Sequence, residues 1–451
     1  MLEKNPSDKW LDQGGEDFLT AGPRDLDQAE ALLEEALLAG AQEAEVYLKT
    51  SRTSGIFLQG GFATLAGGNE RGVALRVFDD RGRWGHAHAS WGEPSLNRRL
   101  IREALAVLGN LPDESLAPLA PAPRPSLPFA TIDGVVDSRV LDRSPAQKRE
   151  ILEKALRGIA RDADPPLGIA LRDGISRVAL VNSRGLKASF HRTLALLTLT
   201  LTQPGGPTLV AEHVGCGIER EEISEKAEEI LRLRGSQPEE PIAPQAILLK
   251  SSAAPVLVRW LERALLAREP LGAAGRMASE AVELVDDPLL AGGIASTPFD
   301  GEGFPSRRKT LLKAGIRVGC LDGDPISGAG EGRRAVRSSY RDVPSPGGTN
   351  LFVAPGRREC AEMMGGIERG FALAALDHET RESDPAAPIQ WRGIGWEVRD
   401  GRVSGDCGRY IFRATPRTLL EGVVESSNGL RFSLHRSTAL GCGDLLILPR
   451  A

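Results

Sequence analysis

Three acidic loops, the second and third of them glycine-rich, dominate the second half of the chain. They are Leu284-Val285-Asp286-Asp287, Ser296-Thr297-Pro298-Phe299-Asp300-Gly301-Glu302-Gly303 and Gly330-Glu331-Gly332-Arg333-Arg334. Each falls between short apolar runs, so this region reads as short strands joined by turns. The 51 glycines and 30 prolines of the 451-residue chain extend the same expectation. Past about residue 284 a β-rich half follows, closed as a barrel or as two packed sheets.

The first half reads differently. Residues 1–22 form a loose leader. Asp25 caps a helix running to about Leu38, with Ala29, Leu32, Leu33, Ala36 and Leu37 on one face and Gly40 at its end. Glu45-Val46-Tyr47-Leu48-Lys49 alternates like a half-buried strand. Runs at Ile56–Leu58, Val73–Phe78 and Trp84–Ala89 follow, split by turns at Gly60-Gly61, Gly67-Gly68 and Asp80-Arg81-Gly82. A helix from about Glu93 to Leu108 completes a two-layer unit with antiparallel strands. Six prolines in residues 109–130 make a semi-extended linker. Ser144 then caps a second helix reaching about Asp162. Strands at Val178–Val181 and Thr193–Thr202 form a hairpin around Asn182-Ser183-Arg184-Gly185, and Glu219–Arg234 reads as a charged helix. Ala246–Leu249 is a short buried strand leading into a helix over Ala253–Arg268. The fold class is therefore α+β, with an N-terminal α+β domain over 23–240 and a β-rich domain over 241–451.

A net charge of −5 speaks against a general nucleic-acid binder, which presents a basic balance to phosphates. No apolar run approaches the ~20 residues that cross a bilayer, and the polar start Met1-Leu2-Glu3-Lys4-Asn5 lacks a secretory apolar segment. Five scattered cysteines without a CxxC pair read as reduced thiols, and a cytoplasmic location is expected.

From Ala44 onward the chain resembles the TldD/PmbA (modulator of gyrase) family. The resemblance rests on Gly72-Val73-Ala74-Leu75-Arg76-Val77, Gly82-Arg83-Trp84-Gly85, Val285-Asp286-Asp287, Phe299-Asp300-Gly301-Glu302-Gly303, Arg333-Arg334, Thr349-Asn350 and Pro355-Gly356. Each piece alone is weak, but together and in order they are specific. The family pairs a zinc-protease subunit with a sister that lacks the metal motif. In the protease subunit a helix carries His-Glu-x-x-x-His, whose imidazoles hold zinc while the Glu takes the water proton. In this chain the corresponding positions are Arg259, Trp260 and Ala264, and none can ligate a metal or accept a proton. The resemblance therefore implies a TldE/PmbA-type subunit without a cofactor of its own. Its partner would be a TldD-like subunit holding the zinc. The heterodimer would cleave unfolded peptides, leader peptides of ribosomally made natural products among them. Asp300, Glu302, Gly303, Arg333, Arg334 and Asn350 are its candidates for peptide or partner contact.

The plainer reading of the 253–268 helix is that Val256, Leu257, Trp260, Leu261, Ala264 and Leu265 face a core, with Arg259 and Glu262 as a surface pair. Two histidines, His86 and His88, share one face of a strand, one ligand short of a zinc site. A relocated metal on His378, Glu382 and Cys442 is a further alternative, as is a stand-alone homodimer that binds peptide or protein without proteolysis. Gly328-Ala329-Gly330-Glu331-Gly332 lacks the Lys-Ser/Thr of a P-loop, and Glu331 opposes phosphate.

Overall fold

The computed structural model describes residues 22–60, 62–81, 83–91, 95–108, 129–157, 167–202, 208–233, 239–243, 245–266, 275–321, 335–378 and 388–449. The leader, most of the proline-rich linker, Arg333, Arg334 and Glu382 lie outside these residues, as does the side chain of His378.

Helix α1 (Gly22–Leu38) leads into a long hairpin of β1 (Glu43–Gln59) and β2 (Phe62–Phe78), followed by β3 (Trp84–Ser90) and α2 (Leu96–Leu108). Then come α3 (Ser138–Asp142), α4 (Pro145–Leu156), β4 (Gly168–Asn182), β5 (Lys187–Thr202), β6 (Thr208–Gly215) and α5 (Arg220–Arg232). The start of α4 follows from sequence: Ser144 caps it reciprocally with Gln147, and Pro145 occupies the first helical position, where no N–H is missed. The six strands form one antiparallel sheet in the order β3-β2-β1-β4-β5-β6.

Alternation gives this sheet two apolar faces. Val46, Leu48, Val73, Leu75 and Val77 pack beneath α1 and α2, and Leu171, Leu197 and Leu199 beneath α4 and α5. The opposite face carries Tyr47, Ala74, Val178 and Leu180, and is covered by Phe299 and Tyr340 from the second half of the chain. This corrects the expected half-buried strand: Glu45 through Leu48 are all buried. The expected turn at Gly67-Gly68 lies within β2, where Ser54 and Thr53 continue the pairing. Asp25 sits inside α1 rather than capping it, held by Arg71 and Arg177.

The second half begins with β7 (Glu239–Pro241), β8 (Ile247–Leu249) and α6 (Pro255–Leu266). Short strands β9 (Leu284–Asp286), β10 (Lys309–Lys313), β11 (Ile316–Arg317), β12 (Ala335–Val336), β13 (Ser345–Pro346) and β14 (Asn350–Val353) follow. After α7 (Cys360–Gly365) come the long strands β15 (Arg369–His378), β16 (Ile389–Arg399) and β17 (Arg402–Ala414). The chain closes with α8 (Pro416–Glu421), β18 (Val423–Ser426), β19 (Arg431–His435), β20 (Thr438–Cys442) and β21 (Leu445–Ile447). Two main sheets result, β11-β10-β9-β14-β20-β19 and β18-β21-β8-β15-β16-β17-β7, rather than one closed barrel. A single core joins Leu249 and Leu373 of one sheet to Leu284, Leu351 and Leu440 of the other, with Leu257, Leu261 and Leu265 of α6. No described helix is long and apolar enough to cross a membrane.

Candidate functional site

The Phe299–Gly303 loop sits on the open face of the N-terminal sheet, and each of its residues has a local task. Phe299 packs against Phe129 and Phe190, with ring centroids 5.1 and 5.2 Å apart. Asp300 organises the turn: Oδ1 accepts from the N–H groups of Glu302 (2.9 Å) and Phe304 (3.0 Å), and Oδ2 from Ala335 N–H (3.3 Å). Burial, then the charge of Glu302, pushes the Asp300 carboxyl up to about 7 against those donors. Gly301 lies 3.0 Å, measured from an added Cβ, from the Ala335 carbonyl, and Gly303 takes φ +90, where a side chain is strained.

Beneath the loop lies a buried charge cluster. Arg76 on β2 grips Glu45 on β1 through two parallel bonds, Nε to Oε1 at 3.0 Å and Nη2 to Oε2 at 2.7 Å. Its Nη1 donates to Glu302 Oε1 at 3.4 Å. Arg337 also donates to Glu45, and its guanidinium stacks 4.6 Å above the Tyr47 ring. Burial opposes ionisation of Glu45, but Arg76 and Arg337 outweigh it and hold the carboxyl below its ordinary value. Such bidentate pairs fix geometry as well as charge. A cavity of about 70 Å3 opens beside this cluster, lined in part by Tyr47, Lys49, Phe190, Arg192, Asp300 and Arg337.

The acidic loop at 286–287 is tied down in the same way. Asp286 Oδ1 accepts from the N–H and Oγ1 of Thr349, both at 2.8 Å. Asn350 Nδ2 donates to the Asp287 carbonyl (2.7 Å) and to Ser296 Oγ (2.8 Å), while its Oδ1 accepts from Ala295 N–H (3.0 Å). Thus Asp300, Glu302 and Asn350, three residues that carry the resemblance, are interior groups that weld loops to one another and to the first sheet.

Helix α6 carries Arg259, Trp260 and Ala264, the residues that the resemblance sets against the zinc motif. Arg259 points to solvent, Trp260 is half-buried and Ala264 is buried. Glu262, expected at the surface beside Arg259, is instead 7 % exposed and accepts from Thr438 Oγ1 at 2.7 Å. The reason is β20, which runs past α6 and closes over that side of the helix. Burial raises the Glu262 carboxyl above its ordinary value. A guanidinium, an indole and a methyl group offer no lone pair to zinc, so this donor set does not fit the metal.

The other candidates also resolve. His86 and His88 share one strand face with ring centroids 5.5 Å apart. Burial, then the charge of Arg337, lowers the His86 imidazole to about 4, and that cationic surrounding is unfavourable to a metal ion. Cys442 is fully buried in β20, and burial drives its thiol far above the ordinary range, so it behaves as a small apolar residue. Among the described residues no group of three or more His, Cys, Asp or Glu is placed to hold a metal. Lys49, Arg192 and Arg337 were not singled out from sequence. They lie on β1, on β5 and just after β12, and only the folded sheet brings them together.

The comparisons agree with this architecture. A family model for the PmbA/TldA metallopeptidase central domain matches residues 139–233, and one for the PmbA/TldA metallopeptidase C-terminal domain matches residues 267–448. The fold is similar to that of TldE from Thermococcus kodakarensis, with a TM-score of 0.76, 19% identity, and 93% of this chain and 98% of that chain covered. It is also similar to a putative modulator of a DNA gyrase from Thermotoga maritima, with a TM-score of 0.75, 18% identity, and 94% and 98% covered. A putative modulator of DNA gyrase from Bacteroides thetaiotaomicron gives 0.73 at 18% identity, with 94% and 98% covered. The chain belongs to the PmbA/TldD metallopeptidase family.

Proposed function

We propose that this chain is the non-catalytic, TldE-like subunit of a heterodimeric zinc metalloprotease acting on unfolded peptides, leader peptides of ribosomally made natural products among them. The observation that carries the reading is α6, with Arg259, Trp260 and Ala264 where hydrolysis needs two imidazoles and a carboxylate. The remaining carboxylate on that helix, Glu262, is committed to Thr438 inside the core. In this reading the partner supplies zinc, and the present chain completes the chamber and stabilises the partner's active form. An obligate interface of this kind buries more than ~2,000 Å2 and is largely apolar.

Co-expression with a tagged subunit carrying His-Glu-x-x-x-His tests the pairing. A stoichiometric complex on size exclusion is expected. A chain that elutes apart from that subunit, as a monomer or a homodimer, contradicts it and favours a stand-alone binding module.

A further inference from the structure

The cavity beside the Asp300 loop is built like a receptor. Its floor is the sheet face, with Lys49 on β1 and Phe190 and Arg192 on β5, and its roof is Phe299 and Arg337. Val178, Phe190 and Phe299 make one wall apolar, while Lys49, Arg192 and Arg337 make the other cationic.

Among the described residues those cations are only partly neutralised. The Arg337 side chain is 1% exposed. One of its nitrogens reaches Glu45, but Nε and Nη1 are buried and, among the described residues, have no hydrogen-bond partner. A buried guanidinium N–H without an acceptor is strongly unfavourable, so native structures rarely keep one without a reason. Arg192 contacts the Ser296 carbonyl at 3.4 Å and, among the described residues, pairs with no carboxylate. Lys49 donates to the Ser338 carbonyl. Nearby acids are engaged elsewhere: Asp300 by three backbone N–H groups, Glu45 by Arg76 and Arg337, and Glu302 by Arg76. Glu70 pairs with Arg341, and Asp342 accepts from Ser339 N–H.

We infer that this cavity binds a carboxylate carried next to an apolar group: the C-terminal end of a peptide. At about 70 Å3 it has room for a carboxylate and several carbons, since one water needs roughly 10–15 Å3. Pockets that take drug-sized ligands measure ~300–1,000 Å3, so a nucleotide exceeds this one. The anion chemistry stands on these residues alone. Only the assignment to a peptide end rests on the peptide-processing role.

The test uses the purified full chain without any protease subunit. Fluorescence anisotropy compares a labelled hexapeptide ending in phenylalanine as the free acid with the same peptide as the C-terminal amide. Charge-assisted bonds to two or three cations predict binding of the acid at least about tenfold tighter. Arg192→Gln and Lys49→Gln, each checked by thermal melting, should each reduce that preference at least about threefold. The comparison of acid and amide on the unaltered chain needs neither variant to fold. Equal affinity for acid and amide, or a preference that survives both substitutions, overturns the inference. If 3-phenylpropanoate binds as tightly as the peptide acid, the cavity serves a free small carboxylate and the peptide assignment fails. Loss of co-purification with the protease subunit would sink the subunit role and leave this result intact.

Discussion

Gly72 lies directly beneath the ring of Tyr340. A Cβ built at Gly72 falls 2.1 Å from Tyr340 Cε1, and the Tyr340 hydroxyl lies 3.1 Å from Ser90 Oγ. This contact seats the second half of the chain on the first sheet, and it explains why the Gly72–Val77 run begins with a residue that has no side chain.

Gly72→Ala should therefore overpack this junction and cost about 1–3 kcal/mol in stability. Chemical denaturation measures it. Adding Tyr340→Ala should recover part of the loss, because the clash is then removed. A Gly72→Ala protein as stable as the parent would contradict the packing described here.

Arg76→Met leaves Glu45 in the interior with one guanidinium fewer. Removing one partner of a buried pair costs about 3–5 kcal/mol. Denaturant melts should show the loss, and the combined Glu45→Gln, Arg76→Met protein should lose less than the two single losses added. Simple additivity would mean the two groups do not act as a unit.

The raised Asp300 carboxyl gives a pH signature. Between its unfolded value, near 3.9, and the folded value of about 7, the native state holds a proton that the unfolded state has lost. Its contribution to stability is thus complete below about pH 4 and disappears as pH rises through 7. The stability of the parent minus that of Asp300→Asn should fall between pH 5 and pH 8. A difference that is flat or rises over that range would show Asp300 to be ionised throughout.

Much of this architecture was legible locally. Glycine and proline punctuation marked the short strands after residue 284, and the capping pair of Ser144 and Gln147 marked α4. What escaped was non-local. Gly67-Gly68 has the composition of a turn, yet pairing with β1 carries the strand through it. Glu262 reads as a surface group because its partner Thr438 lies 176 residues away, and the burial of Glu45 rests on Arg76 and Arg337, 31 and 292 residues away. The cationic side of the cavity draws on three separate elements, so no window of sequence contains it.

Glu262 separates a structural role from a catalytic one. Glu262→Gln keeps an oxygen for Thr438 and should leave stability within about 1 kcal/mol and the activity of the assembled complex unchanged. Glu262→Ala removes the nearer acceptor of the Thr438 hydroxyl, leaving it the Gly348 carbonyl at 3.2 Å, and should cost about 1 kcal/mol. A large loss of turnover in the folded Glu262→Gln complex would assign it to the chemistry instead.

A cleavage assay on a labelled unfolded peptide decides whether this chain is non-catalytic. It compares the chain alone, the His-Glu-x-x-x-His subunit alone and the two together, each with and without chelator, alongside metal analysis of each preparation. This protein by itself should hold less than about 0.1 zinc per chain and cleave nothing, whereas the pair should show chelator-sensitive cleavage. Chelator-sensitive cleavage by this chain alone, at full purity, would contradict that non-catalytic role.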